Sequence, residues 1–268
     1  MIDYIDANTF ADFAHFRLNP NFPGDHVQWN PEIIKQNSIV FVKKGLTDMF
    51  FNNVRNSMFT HIMITHLSDD PINEYEFNKK PVCVTKWFAE NACYDHPDLI
   101  PIPFGLENHF GICTEGHPGR FKHFTENLEK FKENPKNTDT VYCNWSIANN
   151  VGERSGIMEK LKVKYYWEHG IHFNQYYDNS SHYKFIISPP GNGVDAQRQW
   201  EAIYMDCIPI VIKHNIYKEY NDLPLIQVND WDEVTYDLLN SYLNKEFNYE
   251  KVTMTYWKKR LMNEFDKL

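Results

Sequence analysis

Short apolar runs alternate with segments of helical pattern along most of this 268-residue chain. That alternation limits its possible folds more than any other feature. "SIVFVKK" (Ser38–Lys44) and "FTHIMIT" (Phe59–Thr65) read as buried strands, with a helix beginning at Thr47 between them. "PVCVT" opens a third unit and "DLIPIPFG" a fourth, with the helical "KWFAENA" between. Later, "TVYCNWS", "YKFIIS", "CIPIVI" and "PLIQV" read as strands. "GERSGIMEKLK", "DAQRQWEAIYMD" and "DWDEVTYDLLNSYL" read as helices, the last with Asp230 and Glu233 in a capping-box pattern. Strands and helices at this spacing predict an α/β fold of parallel strands joined by crossovers.

Residues 1–37 carry turn formers ("NPNFPGD") and read as a loop-rich lead-in. "GRFKHFTENLEKFKENPKNTD" reads as an exposed helix running into a polar linker near Asn134–Asp139. The domain boundary is placed there, giving halves 1–137 and 138–268, each the size of a small Rossmann-like unit. Met254, Trp257, Leu261, Phe265 and Leu268 form an apolar stripe on a last helix, expected to pack on a domain or bridge the two.

"SPPGNGVDAQRQWE" (Ser188–Glu201) has the layout of a ligand site at a strand's carboxyl end. Gly191, Asn192 and Gly193 allow close backbone approach, and free N–H groups at a helix start face an anion. Arg198 falls in the first helical turn, where a cation opposes the helix dipole. A bound phosphate would remove that conflict, because the guanidinium fork matches phosphate oxygens. Glu201 lies one turn further on the same face and could accept bonds from ribose hydroxyls, although an ordinary surface Arg–Glu pair reads equally well. The net charge of −9 argues against a general nucleic-acid binder but is compatible with a local basic pocket for one anionic ligand.

Five scattered cysteines (Cys83, Cys93, Cys113, Cys143, Cys207) without a CxxC pair point to reduced thiols in a cytosolic compartment. No secretory signal is visible at the N-terminus, and no apolar run approaches a membrane span.

"SPPGNGVDAQRQWEAIYMDCIPIVI", with "DLIPIPFGLEN" before it and "LPLIQVNDWDEV" after it, resembles the exostosin-type glycosyltransferases. The likeness is specific over Tyr183–Val234 and looser from Ser38 to Arg154. Compact members occur in bacteria and large DNA viruses, including chlorella-virus enzymes that build capsid glycans. The resemblance implies a GT-B fold, two Rossmann-like domains facing across a cleft, with the donor on the C-terminal one and the acceptor on the N-terminal one. It further implies inverting, metal-independent transfer from a nucleotide-sugar to a glycan hydroxyl, with a UDP-sugar as donor and UDP-xylose the most specific expectation. No further cofactor or nucleic acid is expected; animal exostosins are anchored in Golgi membranes, and the lack of an anchor in this sequence departs from them and favours a free-standing cytoplasmic enzyme. Carried over, Arg198 and Arg154 would bind the donor diphosphate, Gly191, Asn192 and Gly193 would close over the phosphates, and Glu201 would bind the ribose.

Such a transfer needs a general base for the acceptor hydroxyl. "THLSDDP" supplies Asp69 as first candidate, Asp70 as second and His66 as third; Ser-Asp-Asp-Pro is also a good turn sequence. Asp230-Trp231-Asp232 spells a DxD motif, but helix capping explains it better. The histidines show no ligand spacing, so no metal is expected. Tyr165, Tyr166 and Trp167 could flank a nucleobase or pack in the core. The alternative is a binding protein for a nucleotide-sugar or glycan without turnover.

Overall fold

The structure, a computed structural model, describes residues 3–19, 29–107 and 119–268. Part of the "NPNFPGD" turn and Cys113 lie outside the described residues. The chain forms two compact units, Met1–Gly116 with Glu250–Leu268, and His117–Tyr249.

The first unit holds a five-stranded parallel sheet in the order β1-β2-β3-β4-β5. Its strands are β1 Phe16–Leu18, β2 Ser38–Lys43, β3 His61–His66, β4 Val84–Ala89 and β5 Leu99–Pro101. Helices α1 Ala7–Phe13, α2 Thr47–Val54 and α3 Glu74–Phe77 accompany them. Because the order is sequential, every crossover steps the same way. The right-handed crossover rule then puts the connections from β2 to β5 on one face. Phe50, Phe51 and Val54 of α2 and Phe77 of α3 accordingly share one core with Val40, Val42, Met63 and Trp87. Alternate strand residues such as Phe41, Ile62, Ile64 and Phe88, equally buried, point to the opposite face. The chain ends belong to that side: Phe10 of α1 lies 6.1 Å from the His66 ring and 6.4 Å from Trp257 in the last helix.

The second unit contains β6 Asn137–Cys143, β7 Lys164–Trp167, β8 Tyr183–Ile187, β9 Ile208–Ile212 and β10 Ile226–Val228. Its helices are α4 Arg120–Glu133, α5 Val151–Arg154, α6 Ile157–Lys160, α7 Phe173–Ser180, α8 Gln197–Tyr204 and α9 Tyr236–Leu243. The last helix, α10 Met254–Phe265, returns to the first unit. The second sheet runs β10-β9-β8-β6-β7, all parallel. Numbered from its own first strand this is the doubly wound order 2-1-3-4-5. The two sheets are Rossmann-like α/β layers. Among the described residues, no helix is long and apolar enough to cross a membrane.

Several sequence expectations change. The contact division falls before α4, not after it at 137/138. Helix α4 is also not simply exposed, since it buries Phe124, Leu128 and Phe131, and the two phenylalanines lie against Tyr177 of α7. The lead-in contains α1 and β1; Asp6 and Thr9 form a reciprocal capping box that starts α1. "KWFAENA" is mostly strand β4, because a central strand buried on both faces reads as a continuous apolar run that periodicity cannot tell from helix. Gly156, at φ 73, splits "GERSGIMEKLK" into α5 and α6. The segment after Asp230 forms a 3-10 turn and then α9, capped separately by Thr235. Glu233 accepts from the Asn229 N–H, one residue before the expected cap. The apolar stripe of α10 buries Met254, Trp257 and Leu261, whereas Leu268 is exposed.

One glycine ties the start of the first unit to the segment after its last strand. Gly105 has φ 74, and a Cβ there would sit 2.3 Å from the Ile5 carbonyl oxygen, which also accepts the Leu106 N–H at 2.8 Å. Gly105→Ala is therefore expected to destabilise the protein by about 3 kcal/mol, read as a lowered denaturant midpoint. A wild-type midpoint would show that this backbone contact does not constrain the fold.

Candidate functional site

Strands β6 and β8 lie side by side, yet the chain leaves them in opposite directions, to β7 on one side and to β9 on the other. Such a switch point opens a crevice at the carboxyl ends of a parallel sheet. A cavity of about 550 Å³ is lined by Asn144, just after β6, by Arg154 of α5, and by Ala196, Gln197 and Arg198 at the start of α8. Arg120 of α4 and His172, Phe173 and Tyr176 around α7 complete most of its wall.

The start of α8 is fixed from behind. Asp195, buried, accepts from the Trp200 indole N–H at 2.9 Å, from the Ala196 N–H at 2.9 Å and from the Gln199 amide at 3.2 Å. Gln199 in turn bonds the Tyr217 hydroxyl, and Trp200 packs edge-on against Tyr220 at 5.3 Å. No side chain caps the helix, whose N-cap is Ala196. An uncapped helix start beside a basic cavity suits an anion.

The electrostatics are unusual. Arg154 is only 6% exposed and donates to the Pro190 and Ser146 carbonyls, each at 2.7 Å. These acceptors are neutral, so its charge stays uncompensated. Burial, and after it the neighbouring Arg198, pushes its guanidinium down to about 10. The buried Arg198 Nε has no hydrogen-bond partner, and neither does the Asn144 Nδ2. The buried Tyr176 hydroxyl, beside Arg198, also lacks a well-formed hydrogen bond. Burial raises its pKa, against the pull of Arg198. Two like charges and unpartnered polar groups around one cavity cost stability, and such costs concentrate at ligand sites.

Arg120 differs, because it has a counter-charge. Its Nη2 and Nε reach Glu201 Oε1 at 2.7 and 3.1 Å, and the Tyr177 hydroxyl donates to the same oxygen at 2.6 Å. Burial works against the charge of Arg120, and the Glu201 carboxylate more than restores it.

Arg154 and Arg198, expected to act together, do share the cavity. Glu201 is 1% exposed, does not line it, and is already engaged at one oxygen, while its Oε2 is buried without a partner. Gly191, Asn192 and Gly193 are also absent from the lining. Their loop instead seats α5: Asn150 donates to the Gly191 carbonyl at 2.8 Å, and a Cβ on Gly191 would lie 3.1 Å from Arg154 Nη2. That contact is tight, and a side chain there would require the guanidinium end to shift by a few tenths of an ångström. Asp230 and Asp232 pair with Lys160 and Lys162 at 2.8 and 3.5 Å, and Asp230 caps the 3-10 turn. Tyr165 and Tyr166 sit exposed on edge strand β7, outside the cavity lining.

In the first unit, Asp69 and Asp70 are exposed in the loop after β3. Behind them His66 and Glu90, 2% and 3% exposed, meet at 2.9 Å. Glu90 Oε1 accepts the Ser68 N–H at 2.5 Å, and Asn91 Nδ2 donates to the Ser68 carbonyl at 3.3 Å. Leu67 and Asn91 hold φ of 70° and 48°, the left-handed region that a leucine enters only under constraint. Sequence reasoning missed Glu90, Arg120, Tyr176 and Tyr177, whose neighbours in the fold come from distant elements. No protein-family model matches the chain.

Proposed function

We propose that this chain is an inverting glycosyltransferase of exostosin-like, GT-B type, using a nucleoside diphosphate sugar and a glycan acceptor. The observation that carries the proposal is the pair of uncompensated guanidinium groups, Arg154 and Arg198, in one cavity at the switch point of a parallel sheet. A diphosphate supplies the missing counter-charge, and the uncapped start of α8 supplies N–H groups to it. The donor belongs to the second unit in this proposal and the acceptor to the first.

In the proposed reaction the acceptor oxygen attacks the anomeric carbon while its proton passes to Asp69 or Asp70. The bond from that carbon to the diphosphate oxygen breaks, and its electron pair stays on the leaving oxygen. Negative charge grows there, where two fixed cations are most effective. The guanidiniums can serve in the role of a divalent ion, so turnover is proposed to be metal-independent. The sequence resemblance makes a UDP-sugar the preferred donor, with UDP-xylose the specific choice and a capsid glycan the specific acceptor.

The test is a hydrolysis and transfer panel over UDP- and GDP-sugars, run with and without excess chelator. Release from at least one donor, undiminished by chelator and lowered at least tenfold in Asp69→Ala or Asp70→Ala, is the expected result. Binding of a sugar nucleotide with no release under any condition would make the chain a binding protein instead.

A further inference from the structure

Three arginines line the cavity, but they are not equivalent. Arg154 meets only neutral carbonyls and Arg198 Nε has no hydrogen-bond partner, whereas Arg120 is neutralised by Glu201. Glu201 is almost fully buried and contributes no surface to the cavity. Tyr177 donates to the same Glu201 oxygen that Arg120 holds, and the other oxygen, buried without a partner, lies outside the cavity lining, so the negative charge sits against Arg120. An acidic group placed behind a basic cavity subtracts from the positive potential its ligand feels.

We propose that Glu201 is a specificity-determining residue that acts through charge: by masking Arg120 it leaves the cavity two guanidiniums without a counter-charge. This deepens the diphosphate reading of the cavity and rests on it. A sugar-linked diphosphate is a diester with about two negative charges, and the free nucleoside diphosphate left after transfer carries up to one more on its terminal phosphate. Two uncompensated cations balance the first and underbalance the second. The masked third arginine thus favours substrate over product and eases release.

The experiment titrates inorganic pyrophosphate into wild type, Glu201→Gln and the double variant Arg120→Gln/Glu201→Gln, with circular dichroism and melting curves to establish folding. The glutamine retains an oxygen for Arg120 and Tyr177 while deleting the negative charge. E201Q should therefore bind pyrophosphate about tenfold more tightly than wild type. The double variant, which removes one charge of each sign, should return to within about twofold of wild type. A folded E201Q with unchanged or weaker affinity overturns the proposal, as a direct ribose contact would predict. Should E201Q not fold, the double variant decides, because neutral pairs often replace buried ion pairs without loss. Wild-type affinity there supports the proposal, and a loss of more than about tenfold overturns it. Failure of pyrophosphate to bind wild type overturns the diphosphate reading of the cavity itself.

Discussion

Arg198→Met is expected to weaken nucleoside diphosphate binding about a hundredfold, ~2.7 kcal/mol, while leaving the free protein at least as stable as wild type. The two effects have opposite signs because Arg198 is unfavourable to the unliganded fold. It sits in the first turn of α8, where its charge opposes the helix dipole. It also stands close enough to the buried Arg154 to help depress that guanidinium. Its buried Nε has no partner to lose. Methionine keeps the packing of the aliphatic stem and removes the repulsion, so the melting temperature should hold or rise by a few degrees. Binding, measured by calorimetry, should collapse. A residue kept at a cost to stability and needed for a ligand gives this signature. If the variant melts well below wild type and binds as before, Arg198 is a structural residue.

Glu90→Ala should cost about 3 kcal/mol near pH 6, a fall of roughly 6–12 °C in the transition of the first unit. The substitution leaves His66 buried without its counter-charge and removes the acceptor of the Ser68 N–H. Its pH dependence follows from His66. Burial alone would lower the pKa of that imidazole, but Glu90, with the Pro103 carbonyl and Asp6, raises it above the ordinary 6.5. A base whose folded pKa is raised binds its proton more tightly in the folded state. Its stabilisation is complete below the unfolded value of about 6.5 and is lost as pH rises through the folded value. The gap between wild type and variant should therefore be widest in mildly acidic solution and shrink toward alkaline pH. What remains there is the Ser68 hydrogen bond. A gap that is constant or grows with pH would show that His66 is not protonated against Glu90 in the fold.

The legible parts of this protein are those written locally. Alternating runs predict both parallel sheets, and the PPGNG loop leading into α8 points to the crevice where Arg154 and Arg198 meet. Helix α1 had a readable signal in Asp6 and Thr9, obscured by the turn formers that follow. Strand β4 could not be separated from a helix by period alone, because Trp87 and Phe88 are buried on opposite faces. Glu201 shows the other limit. Its spacing from Arg198 puts both on one helical face, but the helix α4 that covers it brings Arg120 from 81 residues away. The same holds for Glu90 and Ser68, 22 residues apart on neighbouring strand ends. No local pattern encodes such a partner, so a carboxylate that reads as a ligand group in sequence becomes a masked one in the fold.

The most direct test of the central claim is a melting experiment on the wild-type protein with UDP, GDP and the matching nucleosides. If Arg154 and Arg198 hold a diphosphate, at least one nucleoside diphosphate should stabilise the protein by about 2.7 kcal/mol at a hundredfold excess over its Kd, with the effect weakening as salt is added. The matching nucleoside should give little or none at the same concentration. Equal stabilisation by nucleoside and diphosphate, or none by either diphosphate, would contradict the account.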